Sequence, residues 1–375
     1  MTIFHANRIH LMGEKILGGF YMKIVKKVLV VLLVSFLVLG ALTGCAKKEE
    51  AKTGGLPGAP APFDGSKQVH IALVRQMVEG EFMQMWRAGA EQQAELLGVK
   101  LTVLGKNMDN KAEADFVYQA ISMKVDAIII DHGLAETMAK PAADALAAGI
   151  PVIAFDVDLG NPSIPQIAQD DHALGLMALE QMVKDFNGQA NIGYVYVSGI
   201  LPLDKRDESF TKIKNENSGM VEIVRTGTLE SPFAVKNADQ VSASLRANPE
   251  INAYFSPYDE FAKGVVMALD EMDRKDILVY SADISTQDIE LMTTEGNPWR
   301  ATAACNPSAI GAASVRGAAM LVAGMDLPHD ILIQPMLFTN DMLKDGNIKN
   351  MDDLKAKYPE FNKSEAATAS WVPEI

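Results

Sequence analysis

Four polar side chains stand where apolar runs of the chain end: Gln76, Asp131, Asp156 and Asp283. The runs before them, Val69–Val74, Val125–Asp131, Pro151–Asp156 and Ile277–Ser281, are short, apolar and read as strands. In open α/β sheets, ligands bind beyond the carboxyl ends of the strands. A carboxylate there accepts hydrogen bonds from two hydroxyls at once, which is chemistry suited to a polyol. Catalysis would need a nucleophile with its base, a metal cluster or a phosphate loop. His70, His132, His172 and His329 show no ligand spacing, and no Gly-x-Gly-x-x-Gly or Gly-Lys-Ser/Thr follows a strand. His132 beside Asp131 is the one candidate for acid–base work, and a cleft-lining or capping role suits it better. No enzyme activity, catalytic residue, metal or cofactor is expected.

Positioning those side chains requires strands alternating with helices. Helical spacing runs over Phe82–Leu97, Lys111–Met123 and Leu134–Ala148, with Gly98 and Gly149 just past two of the ends. Lys100–Gly105 is a further strand. The alternation repeats in the second half. Strands Asn191–Val197, Val221–Thr226 and Ile251–Phe255 alternate with helices Asp204–Glu216, Ala238–Ala247 and Asp259–Met272. Strands apolar on both faces argue for parallel sheets covered by helices on both sides. About 300 residues follow Lys67, enough for two such lobes. Asn347–Ile375 is a polar tail with one helical piece near Met351–Tyr358.

Residues 22–45 carry a different message. Lys23, Lys26 and Lys27 precede an uncharged apolar run from Val28 to Leu42, which closes in Leu42-Thr43-Gly44-Cys45. The run has the length of a secretory h-region and is marginal for spanning a bilayer. Its end looks like a bacterial lipobox, implying cleavage before Cys45 and lipidation of its sulfur. Met22 is the expected start and residues 1–44 the expected signal peptide. Residues 45–66, with Gly54, Gly55, Pro57, Gly58, Pro60 and Pro62, read as a flexible tether. Of the 34 Lys and Arg and 48 Asp and Glu, residues 1–44 hold five and one. The exported remainder therefore has 29 against 47, a net charge of about −18. Nucleic acid is not expected as a partner, since phosphate binding needs clustered Lys and Arg. Cys305 is then the sole remaining thiol, so no internal disulfide forms.

The chain resembles the ribose-binding-protein family, the type I periplasmic binding proteins of sugar ABC transporters, from about Gln68 to Leu343. The likeness rests on Ile-Ala-Leu-Val at 71–74, Val-Asp-Ala-Ile-Ile-Ile at 125–130 and Ile-Pro-Val-Ile-Ala-Phe-Asp at 150–156. Further matches are Tyr258-Asp259-Glu260 before Ala262 and Gly264, and Asn306-Pro307 before Ile310-Gly311. The resemblance implies sugar contacts at Glu79–Met83, with Phe82 stacking on the ring, and at Asp131. It implies further contacts at Asp156, Arg206, Tyr258 and Asp283, and a polar-ligand or hinge position at Cys305. The family's Asp-Arg pair falls on Asp156-Val157, so the arginine is lost; Asp158 stands two residues on. Departures at Val157, Tyr258 and Cys305 point away from ribose toward another pentose, a hexose, a polyol or a cyclitol.

The resemblance also implies two Rossmann-like lobes joined by a three-crossover hinge, with crossings near Gln169–Asp171, Ala303–Cys305 and Ile331–Gln334. The expected lobes are residues 67–170 plus 305–331 and residues 171–304 plus 332–375. Hinge closure around the ligand would present the closed form to a permease with its cytoplasmic ATPase. The expected molecule is a monomer tethered through Cys45 to the outer face of the cell membrane, or on the periplasmic side where an outer membrane exists. The alternative is a sensor presenting its closed form to a chemoreceptor or histidine kinase.

Overall fold

The computed structural model describes residues 55–362 and 364–375. The expected signal peptide, the expected start at Met22, the expected lipidation site Cys45 and residues 45–54 of the expected tether lie outside the described residues. Among the described residues, no helix is long and apolar enough to cross a membrane.

Six parallel strands make the first sheet: β1 (His70–Arg75), β2 (Lys100–Gly105), β3 (Ala127–Asp131), β4 (Val152–Phe155), β5 (Gln166–Gln169) and β11 (Asp330–Ile333), in the order β11-β5-β4-β3-β1-β2. Every residue of β3 and β4 is buried, which accounts for their unbroken apolar runs. The second sheet holds β6 (Ala190–Val195), β7 (Met220–Thr226), β8 (Ala253–Ser256), β9 (Leu278–Ala282), β10 (Trp299–Ala304) and β12 (Met336–Thr339). Its order is β12-β10-β9-β8-β6-β7, and only β12 runs antiparallel to its neighbour.

Helices α1 (Glu81–Leu96), α2 (Asn110–Ser122) and α3 (Ala135–Ala147) follow successive strands of the first sheet. On the second, α4 (Asp171–Asp185) leads into β6, and α5 (Leu201–Glu216), α6 (Phe233–Ala247), α7 (Asp259–Glu271) and α8 (Thr286–Thr293) follow successive strands. Helix α9 (Pro307–Val322) returns to the first lobe and crosses α1 closely. Two glycines permit that approach. A Cβ on Gly311 would lie 1.9 Å from the Trp86 carbonyl oxygen, and one on Gly89 2.0 Å from that of Ser308.

The chain passes between the sheets after β5, after β10 and after β11. The three crossings hold one another: the Asp170 N–H and the Cys305 thiol both donate to the Ile333 carbonyl, at 2.9 and 3.3 Å. Gln334 Nε2 donates to Asp170 Oδ2 at 3.3 Å.

The two ends of the described chain depart from expectation. Residues 55–66 do not stand free as a tether, because Phe63 is buried and packs against Trp371 with the rings tilted and their centroids 4.9 Å apart. The tail after α10 (Asn340–Asp345), α11 (Met351–Lys357) and α12 (Pro359–Asn362) turns to the first lobe, not the second. There Arg316 of α9 donates to the carbonyls of Ser364, Ala366 and Ala367, and Gln93 of α1 to that of Pro373. Those donors are buried inside helix faces and need acceptors. An irregular strand of carbonyls supplies them.

Candidate functional site

The cleft is built at the carboxyl ends of the strands. His132 follows β3, Asp156 follows β4 and Asp283 follows β9, and all three have positive φ, 64°, 54° and 75°. Left-handed backbone costs a non-glycine residue roughly 1 kcal/mol or more, and such residues cluster where function fixes a geometry. Here the kink turns each side chain off the end of its strand into the space between the lobes. The cavity is lined by Met77, Phe82, Met83, His132, Asp156 and Gln169 from the first lobe and by Ile200, Pro202, Leu203, Arg206, Leu229, Tyr258 and Asp283 from the second.

Its polar half is a connected network. Arg206 Nε donates to Asp171 Oδ1 at 2.9 Å, Nη1 to Asp283 Oδ2 at 2.8 Å and to the Pro257 carbonyl at 2.5 Å, and Nη2 to Asp283 Oδ1 at 3.3 Å. Nη2 also stands 2.9 Å from Asp171 Oδ1. Each guanidinium nitrogen thus donates to protein, and Arg206 acts by holding two aspartates in place. Gln169 Nε2 reaches Asp283 Oδ1 at 3.2 Å. Two buried acceptors in this wall, Asp156 Oδ1 and Gln169 Oε1, have no hydrogen-bond partner among the described residues. Burial, reinforced by the charge of Asp171, pushes the Asp156 carboxyl up to about 8 against the pull of His132 and Arg206.

Four of the expected ligand contacts stand elsewhere. Asp131 is fully buried behind His132: it accepts from Arg75 Nε at 2.6 Å and pairs with His132 Nδ1 at 2.6 Å. The group that reaches the cavity from β3 is therefore His132. Burial alone would lower its pKa, but the hydrogen bond and charge of Asp131, with that of Asp156, raise it. Gln76 is a brace, donating to Asn110 Oδ1 and accepting from the Gly133 N–H. Glu79 bridges the lobes: Oε1 accepts from the Phe233 N–H at 2.8 Å and Oε2 from Ser231 Oγ at 2.5 Å. Cys305 is buried in the hinge. Asp158 is exposed and caps the Gly160 N–H within its own loop.

Phe82, Asp156, Arg206, Tyr258 and Asp283 line the cavity. Met77, Gln169, Ile200, Pro202, Leu203 and Leu229 also line it and lie outside the expected set, as does Asp171, which pairs with Arg206 without lining the cavity. Gln169 and Asp171 lie inside the expected crossing, so the segment was legible but its side-chain roles were not.

A larger pocket of about 490 Å³ opens on the second lobe between α7 and α8. It lies on one lobe only. Among the described residues, none of its lining side chains has a buried polar atom without a partner, unlike the cleft. The cleft cavity measures about 30 Å³, room for one or two waters by the usual measure of a water-holding site. Anything larger enters only when the lobes part.

Two α/β lobes, three crossings and a polar cleft at the strand ends define the class of binding proteins that close on a solute. Residues 71–326 match the periplasmic binding protein domain, and the chain belongs to that family. It stands among the solute-binding proteins of sugar ABC importers. The 5-methylthioribose transporter solute-binding protein of Thermotoga lettingae, solved with 5-methylthioribose, is 37% identical, with a TM-score of 0.80 over 81% of this chain and 97% of that one. A sugar ABC transporter protein of Yersinia enterocolitica is 30% identical, with a TM-score of 0.78 over 82% and 93%. The ribose import binding protein of Bacillus subtilis is 24% identical over 72% of this chain and 88% of its own.

Proposed function

We propose that this protein captures a pentose-type sugar between its lobes, with Asp156, Gln169 and His132 from one side and Asp283, held by Arg206, from the other. The observation that carries this reading is the pair of unpartnered buried acceptors, Asp156 Oδ1 and Gln169 Oε1. An unpaired buried acceptor is costly, and sugar hydroxyls are donors of the right size. Phe82 offers a ring face to sugar C–H groups. The 5-methylthioribose of the Thermotoga lettingae neighbour is the first ligand to test, since that protein shares the most sequence among the neighbours described above.

The protein binds without catalysis. Cys45 carries the lipid that tethers a monomer outside the cell, and hinge closure presents the loaded form to a permease driven by a cytoplasmic ATPase. The comparisons are with importers, which favours transport over presentation to a chemoreceptor or histidine kinase.

Thermal-shift screening against pentoses, thio-substituted pentoses, hexoses, polyols and amino acids tests the reading, because a ligand bound only by the native state raises the melting point. A shift by pentoses that Asp156→Ala removes is the expected result. A shift by amino acids alone would replace it.

A further inference from the structure

The cleft has two unlike halves. Its hydrogen-bonding groups join one another through Arg206, Asp283 and Gln169. The rest of the lining is apolar: Met77 and Met83 from the first lobe, and Ile200, Pro202, Leu203 and Leu229 from the second. Five of the six belong to, or pack against, one continuous apolar cluster; the sixth, Pro202, precedes Leu203 on the first turn of α5. The main chain on this side offers little to a hydroxyl. The Met83 carbonyl is taken by Arg75 at 2.9 Å, and Pro202 has no N–H. Tyr258 supplies the one hydroxyl nearby, at 3.4 Å from the Glu79 carbonyl.

In its furanose form an aldopentose carries a hydroxyl on every carbon but C4, whose oxygen closes the ring, so one hydroxyl would be buried against this apolar wall without a partner. That burial is unfavourable. An alkyl or alkylthio group in the same place gains from leaving water, and two thioether methionines are soft, adaptable neighbours for it. An anionic group is worse than a hydroxyl, because the basic groups of the cavity are already paired, Arg206 with Asp171 and Asp283 and His132 with Asp131.

Resting on the sugar-binding reading above, we infer that the Met77–Met83–Leu203–Leu229 side of the cleft is a specificity subsite for an uncharged apolar substituent replacing the terminal hydroxyl of a pentose. The hydroxyl-bearing carbons face Asp156 and Gln169, and the substituent faces the methionines.

Isothermal titration of the full-length protein in detergent with ribose, 5-deoxyribose, 5-methylthioribose and ribose 5-phosphate tests this. The expected order has 5-methylthioribose at least about tenfold tighter than ribose, the scale set by one or two methylenes in an apolar pocket. The expectation places 5-deoxyribose between them and ribose 5-phosphate last. Leu203→Asn narrows the ratio of the first two. Met83→Gln does the same and serves if the first variant fails to fold. Ribose binding as tightly as 5-methylthioribose overturns the subsite while leaving sugar capture intact. Binding of none of the pentoses overturns both.

Discussion

Glu79 of the first lobe accepts the backbone N–H of Phe233, the first residue of helix α6 in the second lobe, at 2.8 Å. Two residues on, Glu81 Oε2 accepts the N–H of Gln287 at 2.9 Å in the first turn of α8. Gly80 between them has φ of 90°, and a side chain there would meet Tyr258 and Glu260 at 3.0–3.1 Å. The Glu79-Gly80-Glu81 turn thus spans the cleft mouth with a carboxylate on each of two helix N-termini, where negative charge is favoured. It is a latch on the closed form and does not line the ligand cavity.

Glu79→Gln should loosen that latch. A charge-assisted hydrogen bond contributes about 1.5–3 kcal/mol when buried, and partial exposure reduces this to about 1 kcal/mol. The expected result is a sugar Kd raised about fivefold, with the unliganded melting point nearly unchanged. Titration calorimetry reads the first and a thermal melt the second. An unaltered Kd would mean that closure does not depend on this contact.

Asp156 gives binding a pH dependence. Its carboxyl is pushed up to about 8 by burial, and ligand hydroxyls donating to it favour the ionised form, so binding lowers its pKa and releases a proton. Affinity should therefore rise with pH between about 6 and 8 and level off above. The charged groups around it are His132, Arg206, Asp171 and Asp283. His132→Gln separates its titration from that of Asp156. Asp156→Asn should flatten the slope and weaken binding at pH 8 by roughly tenfold or more. A slope that survives in Asp156→Asn would assign it to another group.

His132 contributes to stability in the opposite range. Its pKa is raised in the folded protein, chiefly by Asp131 overcoming burial. The resulting stabilisation is fully present below the unfolded value near 6.5 and is lost as pH rises through the folded value. Asp131→Asn should bring the His132 titration down, as followed by NMR. It should also cost on the order of 3 kcal/mol, because Arg75 is left as an unpaired buried charge. A His132 titration unmoved in the variant would contradict this account of the pair.

Glu113 lies buried beneath the cleft with neither carboxylate oxygen hydrogen-bonded among the described residues. Burial, with the charge of Asp131, raises its pKa to about 9. The unfolded chain releases this proton near 4.5, the folded one only near 9, so stability falls as pH rises between the two. Glu113→Gln removes the ionisable proton. Its melting temperature should exceed that of the wild type by more at pH 8 than at pH 5.

Much of the fold was legible because parallel strands buried on both faces leave continuous apolar runs such as Ala127–Asp131. Less regular pieces were not. Gln166–Gln169 carries two glutamines in a four-residue strand, and Asp330–Ile333 sits on a sheet edge with alternating exposure, so neither stands out by composition. Helix α5 begins at Leu201, earlier than Asp204, with Pro202 tolerated in the first turn where no N–H is needed. At the site, position in a strand end identified Asp156 and Asp283. It could not tell Asp131 from His132, because adjacent residues at a kink point opposite ways and only the positive φ of His132 decides which faces the cleft. Arg206 was placed in the cleft, but its saturation by Asp171, Asp283 and Pro257 depends on contacts 35 to 77 residues away in sequence.

The most direct test is a crystal structure of the protein with its tightest-binding pentose. The sugar should sit between the lobes with hydroxyls about 3 Å from Asp156 Oδ1 and Gln169 Oε1 and with Arg206 still holding Asp283. A sugar found instead in the pocket between α7 and α8, or one in the cleft that leaves both of those oxygens without a hydrogen bond, would contradict it.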